Sequence, residues 1–207
     1  MENKVNTRYL TQLGLLSGIV ILMAFTPLGY LKVGVVDITF IVIPVAVGAI
    51  ILGPKAGAIL GGVFGLTSFA QCFGMSAFGT MLFGINPIGL FIMCVIPRIL
   101  VGFLSGLLFK WLYNKKRTRV ISFAIGSVSA ALINTILYIS FFAVLFHETG
   151  QQMATESGLN FFPFLLTFVS INSIIEMIAC LIIGTAITKS VFKVTRRYDT
   201  STVEQRG

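Results

Sequence analysis

The chain has 207 residues, 56% of them hydrophobic and 11% charged, with fifteen Lys and Arg against seven Asp and Glu for a net charge of +8. Soluble domains carry roughly 25% charged residues, so this chain cannot dress a water-facing surface. A mean hydropathy of +0.96 makes lipid most of its solvent.

The apolar segments follow in order. Leu10–Thr26 comes first, behind Lys4 and Arg8, and closes with TPLGY. It runs too far for a signal-peptide core, lacks a small-x-small cleavage site and precedes further spans, so it reads as a retained helix. Thr39–Leu52 stops at Gly53-Pro54-Lys55 and falls short of the ~20 residues a bilayer needs. It is expected to be tilted, broken or extended through its loop. Ala56–Phe73 is glycine-rich and leads into a soft loop, GMSAFGTMLFGINP. Pro87–Leu112 starts with proline, which suits a first helical position. The basic run NKKRTR then precedes Val120–Phe146, and Phe161–Phe192 ends the series. Barrel strands would be ~10 residues with strict alternation, which these runs lack. The reading is all-α: one integral membrane bundle of six transmembrane helices over residues 1–207, without internal repeat or linker.

Basic residues orient the bundle. With six spans, both termini share one side with Lys55, Lys110, Lys189 and the loop Lys115, Lys116, Arg117 and Arg119. All of the positive residues except Lys32 and Arg98 fall there, whereas the other side holds Lys32, Asp37, Glu148 and Glu156. Both termini are therefore expected in the cytoplasm. The excess charge answers to topology and to anionic lipid in the bilayer, with no nucleic acid called for.

Metal chemistry is not expected. Cys72, Cys94 and Cys180 form no CxxC pair and His147 is the one histidine, while a structural zinc site needs about four N or S ligands. The thiols read as buried and inert.

Small residues recur at four-residue spacing: Gly14 and Gly18 with Ser17 beside them, Gly57, Gly61 and Gly65, then Gly102 and Gly106. Such spacing lets helix backbones approach closely in lipid. Internal packing and a docking face for another membrane protein are both open readings.

Polar residues inside the spans are costly unless partnered. Asn134 and Tyr138 lie one turn apart on the fifth segment, and Asn172 and Glu176 one turn apart on the sixth. Within CVIPRILVG, Arg98 has no charged neighbour in sequence between Lys55 and Lys110. At 1.5 Å per residue it lies about 18 Å from the outer end of its helix, and Glu176 about 22 Å from the start of its own. Matching depths predict an Arg98–Glu176 pair, serving as a structural clamp or as part of a ligand site.

No catalytic constellation emerges. His147 sits in an outer loop, HETGQ lacks the second histidine of a zinc protease, and GTAITKS lacks the second glycine and preceding strand of a phosphate loop. Filter sequences and charged rings of channels and inverted repeats of secondary transporters are missing as well.

TRYLTQLGLLSGIVILMAFTPLGY, IPVAVGAIILGPKAGAILGGVFGLTS and IPRILVGFLSGLLF together resemble the substrate-binding S components of energy-coupling factor (ECF) vitamin transporters. AFTPLGY with GPKAGAILGGVFGLTS looks most like the pantothenate-specific branch. The resemblance implies vitamin capture near the outer face and docking onto a transmembrane coupling protein carrying two ATPases. ATP and Mg would then be used by those partners, with no cofactor in this chain. It also implies toppling of the subunit in the bilayer and a bacterial plasma-membrane location.

The family's docking motif, alanine-x-x-x-alanine on the first helix, reads here as Gly14-x-x-x-Gly18, which keeps the side chains small. The family's covering loops fall on Leu31–Ile38 and Gly74–Asn86. There Gly74, Gly79 and Gly84 would permit a hinge, and Met75, Phe78, Met81 and Phe83 a seal. Pantothenate, a small anion with hydroxyl and amide groups, would suit Asn86, Asn134, Tyr138 and Asn172, with Arg98 drawing its carboxylate and Glu176 orienting the guanidinium. Alternatives are cobalamin, folate, riboflavin or hydroxymethylpyrimidine, and, outside the family, a stand-alone secondary transporter. Trp111, the one tryptophan, falls at a cytoplasmic helix end as an interface anchor, which argues against a stacked flat ring.

Overall fold

The computed structural model describes residues 7–27, 29–33, 36–114 and 121–191, with backbone alone at 30–33, 36–38 and 168–172. The basic loop Lys115–Arg119, the basic residues before Thr7 and those after Val191 lie outside the described residues.

Helices dominate. They are α1 (Thr7–Ala24), α2 (Val42–Leu52), α3 (Pro54–Gln71), α4 (Ala77–Ile85), α5 (Pro87–Tyr113), α6 (Ser122–Leu145), α7 (His147–Glu156) and α8 (Phe161–Ala179). A π-helical stretch, Cys180–Gly184, carries α8 into a further helical run over 185–191. The all-helical expectation needs one addition. The segment that begins at Thr39 in the sequence reading is entered through an antiparallel hairpin, β1 (Tyr30–Val33) and β2 (Val36–Thr39), whose register sets Lys32 opposite Asp37.

Among the described residues, four helical stretches are long and apolar enough to cross a membrane: Thr7–Ala24, Pro87–Tyr113, Ser122–Leu145 and Ser173–Val191. α2, at 11 residues, is buried on every side from Val42 to Ile50, as expected of a helix apolar all round. It is the axle of the bundle, touching α1, α3, α5 and α6. Gly53 ends it with φ +96°, and Pro54 opens α3, a helix stop followed at once by a helix start.

α3 and α5 run antiparallel at backbone contact. A Cβ on Gly57 would strike the backbone of Gly102, one on Gly61 the backbone of Arg98, and one on Gly65 the Cα of Val95 at 2.7 Å. These glycine stripes are internal packing. One apolar core gathers α2 with Val20 of α1, Leu60 and Phe64 of α3, Val101 of α5 and Ala130 of α6. A second lies beneath α4 and α7, built on Phe78, Leu82, Met93, Phe142 and Phe164.

The soft loop of the sequence reading is largely α4. Gly74 turns the chain at φ +107°, Ser76 caps the helix by accepting from Gly79 N–H at 3.3 Å, and Phe78 and Leu82 are buried. The segment containing His147, expected as an outer loop, is likewise helical, as α7, with Gly150 and Ala154 buried. α1 joins the rest lightly, burying Val20 and Ala24. At its C-terminal end the Gln71 side-chain N–H donates to the Ala24 carbonyl.

Candidate functional site

Pro97 stands inside α5. It has no N–H, so the carbonyl one turn back, on Met93, loses its helical donor. The next residue supplies one: Arg98 Nη1 donates to Met93 O at 2.8 Å. The arginine is thus held first by its own helix. Its guanidinium lies 5.0 Å from the ring centre of Tyr138 on α6 and 5.6 Å from that of Phe64 on α3. Aromatic faces attract such a cation, by about 2 kcal/mol when desolvated.

α6 and α8 supply the rest. Asn134 Nδ2 donates to Glu176 Oε1 at 3.1 Å, and the Thr135 and Ser173 hydroxyls share a hydrogen bond of 2.9 Å. Arg98, Asn134 and Glu176 are 7%, 8% and 6% exposed. The direct Arg98–Glu176 pair expected from matching depths is not formed: Asn134 donates to Glu176 Oε1, and Arg98 Nη1 is turned to the Met93 carbonyl of its own helix. The guanidinium is within electrostatic reach of Glu176 but is not an ion-pair partner.

Two buried polar atoms of this group have no hydrogen-bond partner among the described residues: Arg98 Nε, a donor, and Asn134 Oδ1, an acceptor. An unpaired buried polar group costs about 1–3 kcal/mol, more when charged. A ligand offering an anionic oxygen to the one and a hydroxyl or amide N–H to the other would satisfy both.

The remaining expected residues are placed as follows. Asn86 is exposed and caps α5, its Oδ1 accepting from Gly89 N–H at 2.9 Å, so it is not brought to the buried cluster. The Asn172 side chain lies outside the described residues. Phe78 sits 5.9 Å from Phe142, centre to centre, which seats α4 on α6. A Cβ on Gly79 would meet Cys72 Sγ at 2.6 Å, so close packing accounts for that glycine, whereas Gly84 has open space. On α1, a Cβ at Gly14 or Gly18 would meet nothing within 4 Å, and Ser17 is partly buried. Among the described residues, no group of three or more His, Cys, Asp or Glu could hold a metal.

Sequence reasoning missed Pro97, the Met93 carbonyl and Phe64. The signal for the first two was the dipeptide Pro97-Arg98, which places a guanidinium beside a freed carbonyl.

Among the described residues, a helical bundle with four candidate membrane spans encloses this buried, partly unpaired polar cluster. Residues 8–188 match the family described as ECF transporter, substrate-specific component, and the chain belongs to that family. It is 34% identical over 201 residues to a pantothenate transporter PanT of Leuconostoc mesenteroides, covering 92% of this chain and 95% of that one. It is 32% identical over 165 residues to a pantothenic acid transporter PanT of Lactococcus lactis, covering 75% and 78%.

Proposed function

We propose that this chain captures pantothenate at the outer face of a bacterial plasma membrane and delivers it for uptake driven by partner ATPases. A transmembrane coupling protein joins it to two ATPase subunits, which use ATP and Mg. Six crossings are made by α1, α2 with its hairpin, α3, α5, α6 and α8, and both termini are cytoplasmic. Tyr9 at the start of α1, Lys55 at the α2–α3 turn and Lys110 near the end of α5 line one cavity, which supports a common basic end.

The observation that carries the substrate assignment is the unpartnered pair, Arg98 Nε and Asn134 Oδ1. Pantothenate supplies a carboxylate for the first and hydroxyl or amide hydrogens for the second. Tyr138 walls the guanidinium, and Glu176 fixes Asn134 so that its oxygen stays free. Asn172, one turn before Glu176 on α8, completes the set, and α4 with Phe78 covers it. Gly14, Ser17 and Gly18 present the docking face.

Binding of radiolabelled pantothenate to the purified chain tests this. Arg98→Ala is expected to lower affinity by about 2–3 kcal/mol, the range for a charge-assisted hydrogen bond. The uncharged alcohol analogue of pantothenate should be indifferent to the substitution. Equal losses for acid and alcohol would remove the carboxylate from Arg98. Uptake by liposomes holding this chain alone, driven by a simple gradient, would overturn the dependence on partner ATPases.

A further inference from the structure

A cavity of about 780 Å³ opens at the lysine-rich end of the bundle, between the start of α1, the α2–α3 turn and the last turns of α5. Its polar lining includes Tyr9, Lys55, Lys110, Tyr113 and Asn114, its apolar wall includes Phe103 and Leu107, and none of the described residues that line it is acidic. Both lysines are exposed. The start of α3 adds the positive end of its backbone dipole at Pro54 and Lys55.

The occupant has to satisfy three things at once. It must be anionic, for the lysines. It must be partly apolar, because Phe103 and Leu107 are 37% and 42% exposed and face out of the bundle. It must also reside at headgroup depth: Trp111, 58% exposed, and Tyr113 follow on α5, and aromatic rings of this kind collect at the membrane–water boundary. A free inorganic anion meets the first condition alone. An apolar peptide meets the second alone.

We propose that this cavity seats the head and upper chain of one anionic glycerophospholipid. The phosphate lies between Lys55 and Lys110, with Tyr9 and Asn114 as hydrogen-bonding neighbours, and an acyl chain runs along Phe103 and Leu107. Basic pockets between membrane helices are suited to such headgroups, and the volume lies within the usual range for a ligand site. This rests on the membrane reading of the chain and is independent of its vitamin.

The test uses the purified full chain in neutral detergent, stripped of lipid. Phosphatidylglycerol, phosphatidylcholine or soluble glycerol phosphate is added back, and retained lipid is counted by native mass spectrometry beside thermal unfolding. One phosphatidylglycerol should be retained per chain and should raise the unfolding temperature. The double variant Lys55→Gln, Lys110→Gln should lose about thirty-fold in lipid affinity, and each single variant about five-fold, should the double not fold. Lys55→Arg with Lys110→Arg should retain the lipid, and Lys189→Gln, outside the cavity, should behave as the parent. Equal retention of phosphatidylcholine would overturn the proposal. So would equal protection by glycerol phosphate, which would make this a free-anion site, or unchanged affinity in the glutamine variants.

Discussion

Two regions of this molecule carry the same sequence device and use it oppositely. On α3 and α5, glycines four residues apart press so closely on the neighbouring helix that an added Cβ meets backbone. On α1, Gly14 and Gly18 are spaced in the same way, yet none of the described residues approaches within 4 Å of where a Cβ would stand. The first interface is closed, and it is closed around the buried arginine, since Gly61 packs on the backbone of Arg98. The second is open. Spacing alone therefore does not distinguish a structural seam from a free face; what distinguishes them is whether a second backbone of the same chain occupies the groove.

The largest expected effect breaks the closed seam. Gly61→Leu should destabilise the isolated subunit by more than about 3 kcal/mol, because the colliding atoms are backbone and cannot swing aside. Thermal unfolding in detergent reads this, and an unchanged transition would mean that α3 and α5 are not in contact there. Next comes the arginine that the seam positions. Pro97→Ala restores a helical N–H to Met93 O and so competes with Arg98 for that carbonyl. Pantothenate affinity should fall about five- to tenfold, equivalent to about one hydrogen bond, while stability holds or rises. Unaltered affinity would show that the Met93 contact does not set the guanidinium.

Smaller again is the coupling across α6 and α8. A double-mutant cycle for Asn134 and Glu176 should return about 1 kcal/mol, and one for Arg98 and Glu176 less than about 0.5 kcal/mol. The reverse ranking would restore the direct ion pair. The smallest effect on the subunit belongs to the open face: Gly14→Leu or Gly18→Leu should shift its stability within about 0.5 kcal/mol, with pantothenate affinity intact. Co-purification with the coupling protein should nevertheless be lost. A subunit that unfolds would mean that α1 is packed internally after all.

Much of the bundle was legible in the sequence. Pro87 marks the start of α5, and Gly53-Pro54 divides α2 from α3, because proline and glycine act locally. Membrane hydropathy exposes long runs but hides short helices. α4 was masked by its glycines, although Ser76 and the buried Phe78 and Leu82 fix it. α7 was masked by polarity, since its inward face is little more than Gly150 and Ala154. The polar cluster was half legible. Counting 1.5 Å per residue gives the height of a side chain in the membrane, and by height Arg98 and Glu176 do match. It does not give the direction in which each helix faces, and facing decided that Asn134, rather than Arg98, bonds Glu176.

The π-helical stretch of α8 has a consequence for alignment. Glu176, Cys180, Gly184 and Thr188 are all buried, at an unbroken spacing of four. In an ideal helix each such step overshoots a full turn by about 40°, so three steps would carry the row about 120° around the axis. The wider turns over Cys180–Gly184 take up this drift. One straight rail then meets α6 twice, through Asn134 against Glu176 and through Ser127 against Gly184. The stretch is a phase corrector: were the same residues wound as ordinary α-helix, the C-terminal half of the rail would rotate away from α6 while Glu176 kept its place.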